Sequence, residues 1–386
     1  MARTQYHIGV LFSQSGPYGV VSRSMFNGAM LAFDEIRASP DFPFDLVPIV
    51  ADPAGSFGQY AVSSQELLGR NGVRHVVGCY TSSSRKDVIP LFEKYDALLW
   101  YPSHYEGFES SSNVVYTGAA PNQHIIPLIE FLLTHMGRRA YCIGSNYIWA
   151  WENNRILREG LSVAGGTVLA ERYHAVGDTD FSKTIASILD ARPDFIFNTL
   201  IGTSAYRFFQ DFRAACIERG IDQPAEMPAV GCSLSEPELG EIGDRAMDGH
   251  ISSSVYFSSI DTPANRRFIG AYRRRWQDAA PSADAEASYV AVKMLAAAIA
   301  AAGSDDVQAV RLTLPTLSID APQGTVSVDG PTNHAFLTPR IGRSKASGQF
   351  EILWQANRPV QPDPYLVQTT PRYAVRNSVP KLRSIK

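Results

Sequence analysis

Two short segments concentrate side chains suited to gripping a small polar molecule. They are Gly78-Cys79-Tyr80-Thr81-Ser82-Ser83 and Trp100-Tyr101-Pro102-Ser103-His104-Tyr105, each after an apolar run that reads as a strand. Their hydroxyls donate and accept hydrogen bonds, and their rings can exclude water. Unpaired N–H groups at the helix start after Tyr80–Ser83 would attract carbonyl or carboxylate oxygens. Further along, Ser145-Asn146-Tyr147-Ile148-Trp149, Gly202-Thr203-Ser204 and Gly231-Cys232-Ser233-Leu234-Ser235-Glu236 also sit at strand ends. The candidate ligand-binding residues are therefore Tyr80, Ser82, Ser83, Tyr101, Ser103, His104, Tyr147, Trp149 and Ser233. This is the chemistry of holding a solute.

Bond-breaking chemistry has little to stand on. Ser83-Ser84-Arg85-Lys86 matches Ser-x-x-Lys, but the Ser-Asp-Asn and Lys-Thr-Gly partners of that hydrolase class do not occur. The plainer reading has Ser83 capping a helix whose Arg85 and Lys86 are solvated. No Gly-x-Ser-x-Gly, Walker loop, His-Glu-x-x-His or Gly-x-Gly-x-x-Gly run appears. We expect no catalytic residues, no metal and no cofactor. Cys79, Cys142, Cys216 and Cys232 form no Cys-x-x-Cys pair and read as free, packed thiols.

The elements that must position these residues follow a regular rhythm. Strand Tyr6–Phe12, a helix through Ser39, strand Asp45–Val50 and helix Phe57–Arg70 come first. Strand Val73–Gly78, helix Ser83–Tyr95 and strand Ala97–Tyr101 continue the pattern. After Val114–Tyr116 and Gly118-Ala119-Ala120-Pro121 the alternation restarts and runs to about Ser235, with helix Trp151–Ala164 in its path. Such alternation predicts an α/β fold of two doubly wound, mostly parallel lobes with a ligand crevice at the strand ends. The last third breaks the rhythm: helices Pro263–Gln277 and Ala285–Ala302 precede strand-like runs Gly324–Val328, Ala335–Ile341 and Phe350–Gln355. That is how a chain re-entering finished lobes would look. The predicted division is 1–118 plus 252–327 for lobe one and 119–251 plus 328–357 for lobe two. A proline-rich extended arm, 358–386, follows.

Bulk properties limit the partners. The chain has 386 residues, too many for one ordinary core, and is 45% hydrophobic and 19% charged with a net charge of -3. That balance argues against a direct nucleic-acid surface. No signal peptide is read at the N-terminus, so a cytoplasmic location is expected. The most apolar stretch, Val290–Ala302, is too short for a span, so no membrane partner is expected. Homo-oligomerisation stays open.

Longer runs carry a family resemblance. Gly78-Cys79-Tyr80, Arg85-Lys86, Tyr105-Glu106-Gly107-Phe108-Glu109 and Ala120-Pro121-Asn122-Gln123 resemble the amide-sensing negative regulators of aliphatic amidase operons (the AmiC type). So do Gly144-Ser145-x-Tyr147-Ile148, Tyr256–Ala264 and Asp320-Ala321-Pro322-Gln323-Gly324, and the likeness covers roughly residues 6–368. These regulators lie within the type I, Leu/Ile/Val-binding class of periplasmic binding proteins. The resemblance implies two lobes joined by a three-crossing hinge that close on a small neutral amide. It also implies a cytoplasmic sensor that holds an RNA-binding antiterminator silent until the amide arrives. Tyr80, Ser82, Tyr101 and Tyr147 match family positions around the amide. Ser103 stands where the family has threonine, His104 where it has proline, and Trp149-Ala150 where it has Tyr-Pro. An alternative in the same class is a transporter's solute receptor for urea, short amides or branched-chain amino acids. An amino acid would need a carboxylate for its ammonium group, and Glu106, Glu152 and Glu236 all lie near strand ends.

Overall fold

The computed structural model describes residues 3–277, 280–369 and 371. A first run comprises β1 (Thr4–Leu11), α1 (Gly19–Ala38), β2 (Phe44–Ala51), α2 (Phe57–Gln65), β3 (His75–Gly78), α3 (Ser82–Lys94), β4 (Leu98–Tyr101) and β5 (Val114–Tyr116). A second begins with α4 (Ile125–His135), β6 (Arg139–Ser145), α5 (Ile148–Val163), β7 (Thr167–His174), α6 (Ser182–Ala191) and β8 (Phe195–Thr199). It continues through α7 (Thr203–Glu218), α8 (Gln223–Glu226), β9 (Ala229–Gly231), α9 (Glu236–Ile242) and β10 (Ile251–Ser254). The last third holds α10 (Pro263–Arg275), α11 (Ala283–Ala302), α12 (Val307–Thr313), β11 (Ser318–Ala321) and β12 (Gly324–Asp329). Strands β13 (His334–Phe336), β14 (Arg340–Ser344) and β15 (Phe350–Gln355) close it.

The strands form two sheets, ordered β11-β12-β13-β5-β4-β3-β1-β2 and β15-β14-β10-β9-β8-β6-β7. Each has a parallel centre and an antiparallel edge supplied by the last third of the chain. The β3 segment is buried along its whole length, as a central parallel strand must be when helices cover both faces. The chain passes between sheets three times: after β5, after β10 and after β13. The two α/β lobes and the three-crossing hinge are thus as expected.

The crossings fall later than the expected divisions at 252 and 328. Strand β10 belongs to the second sheet, and β13 still belongs to the first. The run read as one strand, Ala335–Ile341, is split by the third crossing at Leu337-Thr338-Pro339. Pro339 has no N–H to continue a ladder, and the apolar residues on either side belong to different sheets. Strand β11 was not anticipated. The expected arm, 358–386, is described only to residue 369 and at 371, and the rest of it lies outside the described residues. Its described part follows the hinge: Phe108 N–H donates to Pro364 O at 2.9 Å, and Asn122 Nδ2 to Gln361 O at 2.8 Å.

Helix α11 spans 20 residues and is long and apolar enough to cross a membrane by length and composition, contrary to the estimate from Val290–Ala302. Most of it is buried inside lobe one, where it packs on α1. Gly28 of α1 makes that approach close: a Cβ there would sit 2.0 Å from the Ala285 carbonyl oxygen of α11. Gly28→Ala must push two core helices apart, which costs about 1–3 kcal/mol. Gly58→Ala, where nothing lies within 4 Å, is the control. We expect a lowered melting temperature for Gly28→Ala and none for Gly58→Ala, and equal melts for the two variants would refute the packing argument.

Candidate functional site

The crevice between the lobes is built from strand ends, as the α/β rule requires. At the end of β3, Cys79 adopts φ 67°, a left-handed turn that reverses the chain into α3. Thr81, not Ser83, caps α3: its Oγ1 accepts from Ser84 N–H at 3.2 Å. This frees Tyr80 and Ser82 to face the cleft. From lobe two, β6 leads into Tyr147, and α5 begins at Ile148 rather than Trp151, so Trp149 lies on its first turn.

Tyr80, Ser82, Ser103 and His104 of lobe one and Tyr147, Trp149 and Ile201 of lobe two line one hollow. It holds about 200 Å³ of non-atom space, counting the part open to solvent. Burial holds the Tyr80 and Tyr147 phenols well above the usual tyrosine range, so both keep their protons as donors. Trp149 is 2% exposed, and its Nε1 has no partner among the described residues. Its ring stands edge-on to His104 at 5.4 Å and stacks beside Tyr147 at 6.3 Å. The lobes also touch at the rim, where Thr203 N–H donates to Pro17 O at 3.0 Å.

Three of the nine candidate residues stand elsewhere. Tyr101 lies behind the wall, its hydroxyl donating to Tyr80 O at 2.7 Å. Ser83 is half-buried in the first turn of α3 and does not line the hollow. Ser233 lines two neighbouring hollows, one with Glu238 and His250, the other with His104, Glu236 and Asp284.

The largest departure from the sequence reading is Arg85, expected to be solvated and found wholly buried. Its guanidinium donates to Glu106 at 3.0 Å and Glu109 at 2.7 Å, and lies 4.7 Å from the ring centres of both Tyr101 and Tyr105. Burial works against its charge, but Glu106, Tyr101 and Glu109 more than offset this and keep it protonated. Burial alone would raise Glu109, yet Arg85 and Lys86 hold its carboxyl at about 2. Ser82 Oγ donates to Glu106 as well. Glu106 is thus committed, and Glu152 is engaged by Arg155 at 2.9 Å. Of the three carboxylates considered for an ammonium group, only Glu236 lines the cleft. Asp284 was missed. It accepts from Ser103 Oγ at 3.0 Å and lies 3.6 Å from His104 Nδ1, but its position behind the Ser282 cap reads as an ordinary helix start.

Residues 6–371 match the family model of the periplasmic binding protein domain. The chain belongs to the periplasmic binding protein family. A Leu/Ile/Val-binding protein homolog 6 of Brucella abortus is 23% identical over 344 residues, 85% of this chain and 84% of that protein. A Geobacillus stearothermophilus protein named limonene hydroxylase is 30% identical over 129 residues, so the match spans about a quarter (24%) of its length and 33% of this chain. Among solved structures, an R. palustris solute-binding protein of an ABC transporter, in complex with benzoate, has a TM-score of 0.81 at 18% identity. That match covers 93% of this chain and 98% of the other. The isoleucine complex of a branched-chain amino acid transporter's binding protein from Streptococcus pneumoniae has a TM-score of 0.79 at 19% identity, covering 93% and 100%. At these identities the structural likeness shows the fold alone. These full-length relatives are binding proteins, not enzymes.

Buried titratable groups give the family member a pH signature. Burial pushes Glu236, Glu238 and Glu286 up to about 7, 8 and 7. It pushes His75, His124, His250 and His334 down to about 4, 3, 4 and 4. The folded carboxyls keep protons that the unfolded chain has lost above 4.5, so they destabilise the fold as pH rises towards 8. The histidines act oppositely, costing stability as pH falls below 6.5. Between pH 6.5 and 8 the histidine effect fades as the unfolded imidazoles lose their protons, and the carboxyl effect outweighs it. Thermal melts should show a lower Tm at pH 8 than at 6.5, with a shallower fall in Glu238→Gln; a Tm that rises over this interval would contradict the assignment.

Proposed function

We infer that the protein is a solute-binding protein of the transporter-receptor type, taking a small uncharged polar solute of the urea or short-amide class between its lobes. The observation that carries this is the hollow of about 200 Å³ lined by hydroxyls and rings from both lobes, in which the nearby cation, Arg85, is fully engaged by carboxylates. An amide is planar and neutral, with a carbonyl acceptor and N–H donors. The unpartnered Trp149 Nε1 and the phenols of Tyr80 and Tyr147 suit its carbonyl, and the Ser82 and Ser103 oxygens suit its N–H groups. A solute touching both lobes favours the closed form by its extra affinity for that form. The transporter role draws support from the names of the full-length relatives.

The test is calorimetry and thermal shift with urea, acetamide, butyramide, leucine and benzoate. Urea or an amide should raise Tm through mass action, and Tyr147→Phe should weaken that ligand roughly tenfold, the effect of one lost hydrogen bond of about 1.4 kcal/mol. Shifts with leucine or benzoate, and none with urea or any amide, would overturn the ligand class.

A finer reading rests on the sequence runs that resemble the amidase-operon regulators. In it the protein works in the cytoplasm and, when the amide closes its lobes, releases an RNA-binding antiterminator. Co-purification with an RNA-binding protein encoded beside its gene, lost on adding acetamide, is the expected result. Absence of any such complex with and without acetamide would remove this reading and leave the transporter one.

A further inference from the structure

Two other hollows share His104 with the one at Tyr80 and Trp149 and have a different chemistry. One, of about 280 Å³ beside the hinge, is lined by His104, His124, Cys232 and Asp284 among others. The second, of about 240 Å³, shares His104, Cys232 and Asp284 and adds Glu236. The groups with unused capacity there are carboxyls and an imidazole nitrogen. Glu236 is 4% exposed; its Oε1 accepts from Ser258 N–H at 2.6 Å, while Oε2 has no partner. His124 is 1% exposed and donates from Nε2 to Tyr105 O at 2.9 Å, which leaves Nδ1 as an acceptor without a partner. Asp284 adds a carboxyl, 3% exposed, which accepts from Ser103 Oγ and lies 3.6 Å from His104 Nδ1. Of the nearby hydroxyls, Ser253 and Ser254 donate to the carbonyls of His124 and Tyr256, whereas the Ser258 hydroxyl stands beside the Glu236 carboxyl.

Two separate elements, α9 and the start of α4, therefore bring unpaired polar atoms to hollows that share His104, and α11 adds the Asp284 carboxyl. A buried acceptor without a donor costs about 1–3 kcal/mol, and more when charged. A simple alkyl tail entering this space would leave that cost standing. We propose that the solute carries a second, donor-bearing group, a primary amine or amidine, which enters this compartment while its amide end occupies the hollow at Tyr80 and Trp149. The inference rests on the small-amide reading above and names its substrate class: a neutral-to-cationic amino amide. An α-amino acid does not fit as well, because its carboxylate would meet no uncommitted cation at the amide end, where Arg85 is bound by Glu106 and Glu109.

Two isosteric probes test this: 4-aminobutanamide and pentanamide, with acetamide and urea as baseline ligands, all measured by calorimetry. 4-Aminobutanamide should bind at least tenfold more tightly than pentanamide. Glu236→Gln should erase most of that advantage while leaving acetamide affinity as it was. Equal binding of the two probes, or an advantage that Glu236→Gln does not reduce, overturns this inference alone, with acetamide or urea binding still standing. Silence from all four compounds overturns the amide reading itself, and this inference with it. Should Glu236→Gln not fold, the ratio of the two probes on the unmodified protein decides the matter.

Discussion

The cleft wall of lobe one depends on a single buried cation. Arg85 sits on α3 with no solvent access, yet it stays charged because Glu106 and Glu109 answer it from the loop after β4. Removing one partner from such a pair costs about 3–5 kcal/mol, because the other charge is left buried and uncompensated. The flanking Tyr101 and Tyr105 rings add cation–π attraction, which strengthens out of water. The network therefore ties the start of α3 to the loop carrying Ser103 and His104. Tyr101 completes the tie by bonding to the Tyr80 carbonyl.

This arrangement separates charge from the hollow. The ions stand behind the wall, while the surfaces facing the solute are phenols, alcohols, an indole and an imidazole. Ser82 joins the two layers, since its hydroxyl is bound to Glu106 while the residue lines the hollow. A neutral solute then meets oriented dipoles that need little rearrangement. Carboxyl groups that do face the cleft lie further along, at Asp284 and Glu236.

The hinge explains how such a wall can open and close without being dismantled. The three crossings join the two sheets, and the described C-terminal segment is bonded near them, at Phe108 and Asn122. Contacts across the mouth include Thr203 to Pro17 and the ring pair His104 and Trp149. Motion is expected at the crossings, where few residues absorb the change in φ and ψ.

Strand and helix periodicity, read locally, was enough for the α/β alternation, the two lobes and the clustering of Tyr80, Ser82, Ser103, His104, Tyr147 and Trp149 at strand ends. Those features depend on residues near one another in the chain, and parallel strands bring their ends together by rule. The division of Ala335–Ile341 between two sheets was not legible, because the two short pieces run on with two residues of irregular chain beside Pro339 and only their partners differ. Nor was the burial of Arg85: its carboxylates lie 21 and 24 residues away, and in isolation an arginine beside a lysine looks like a solvated face. Asp284 reaches Ser103 across 181 residues. Short-range pattern determines which elements form, whereas the pairing of charges and orphaned acceptors depends on which distant segments the packed lobes press together.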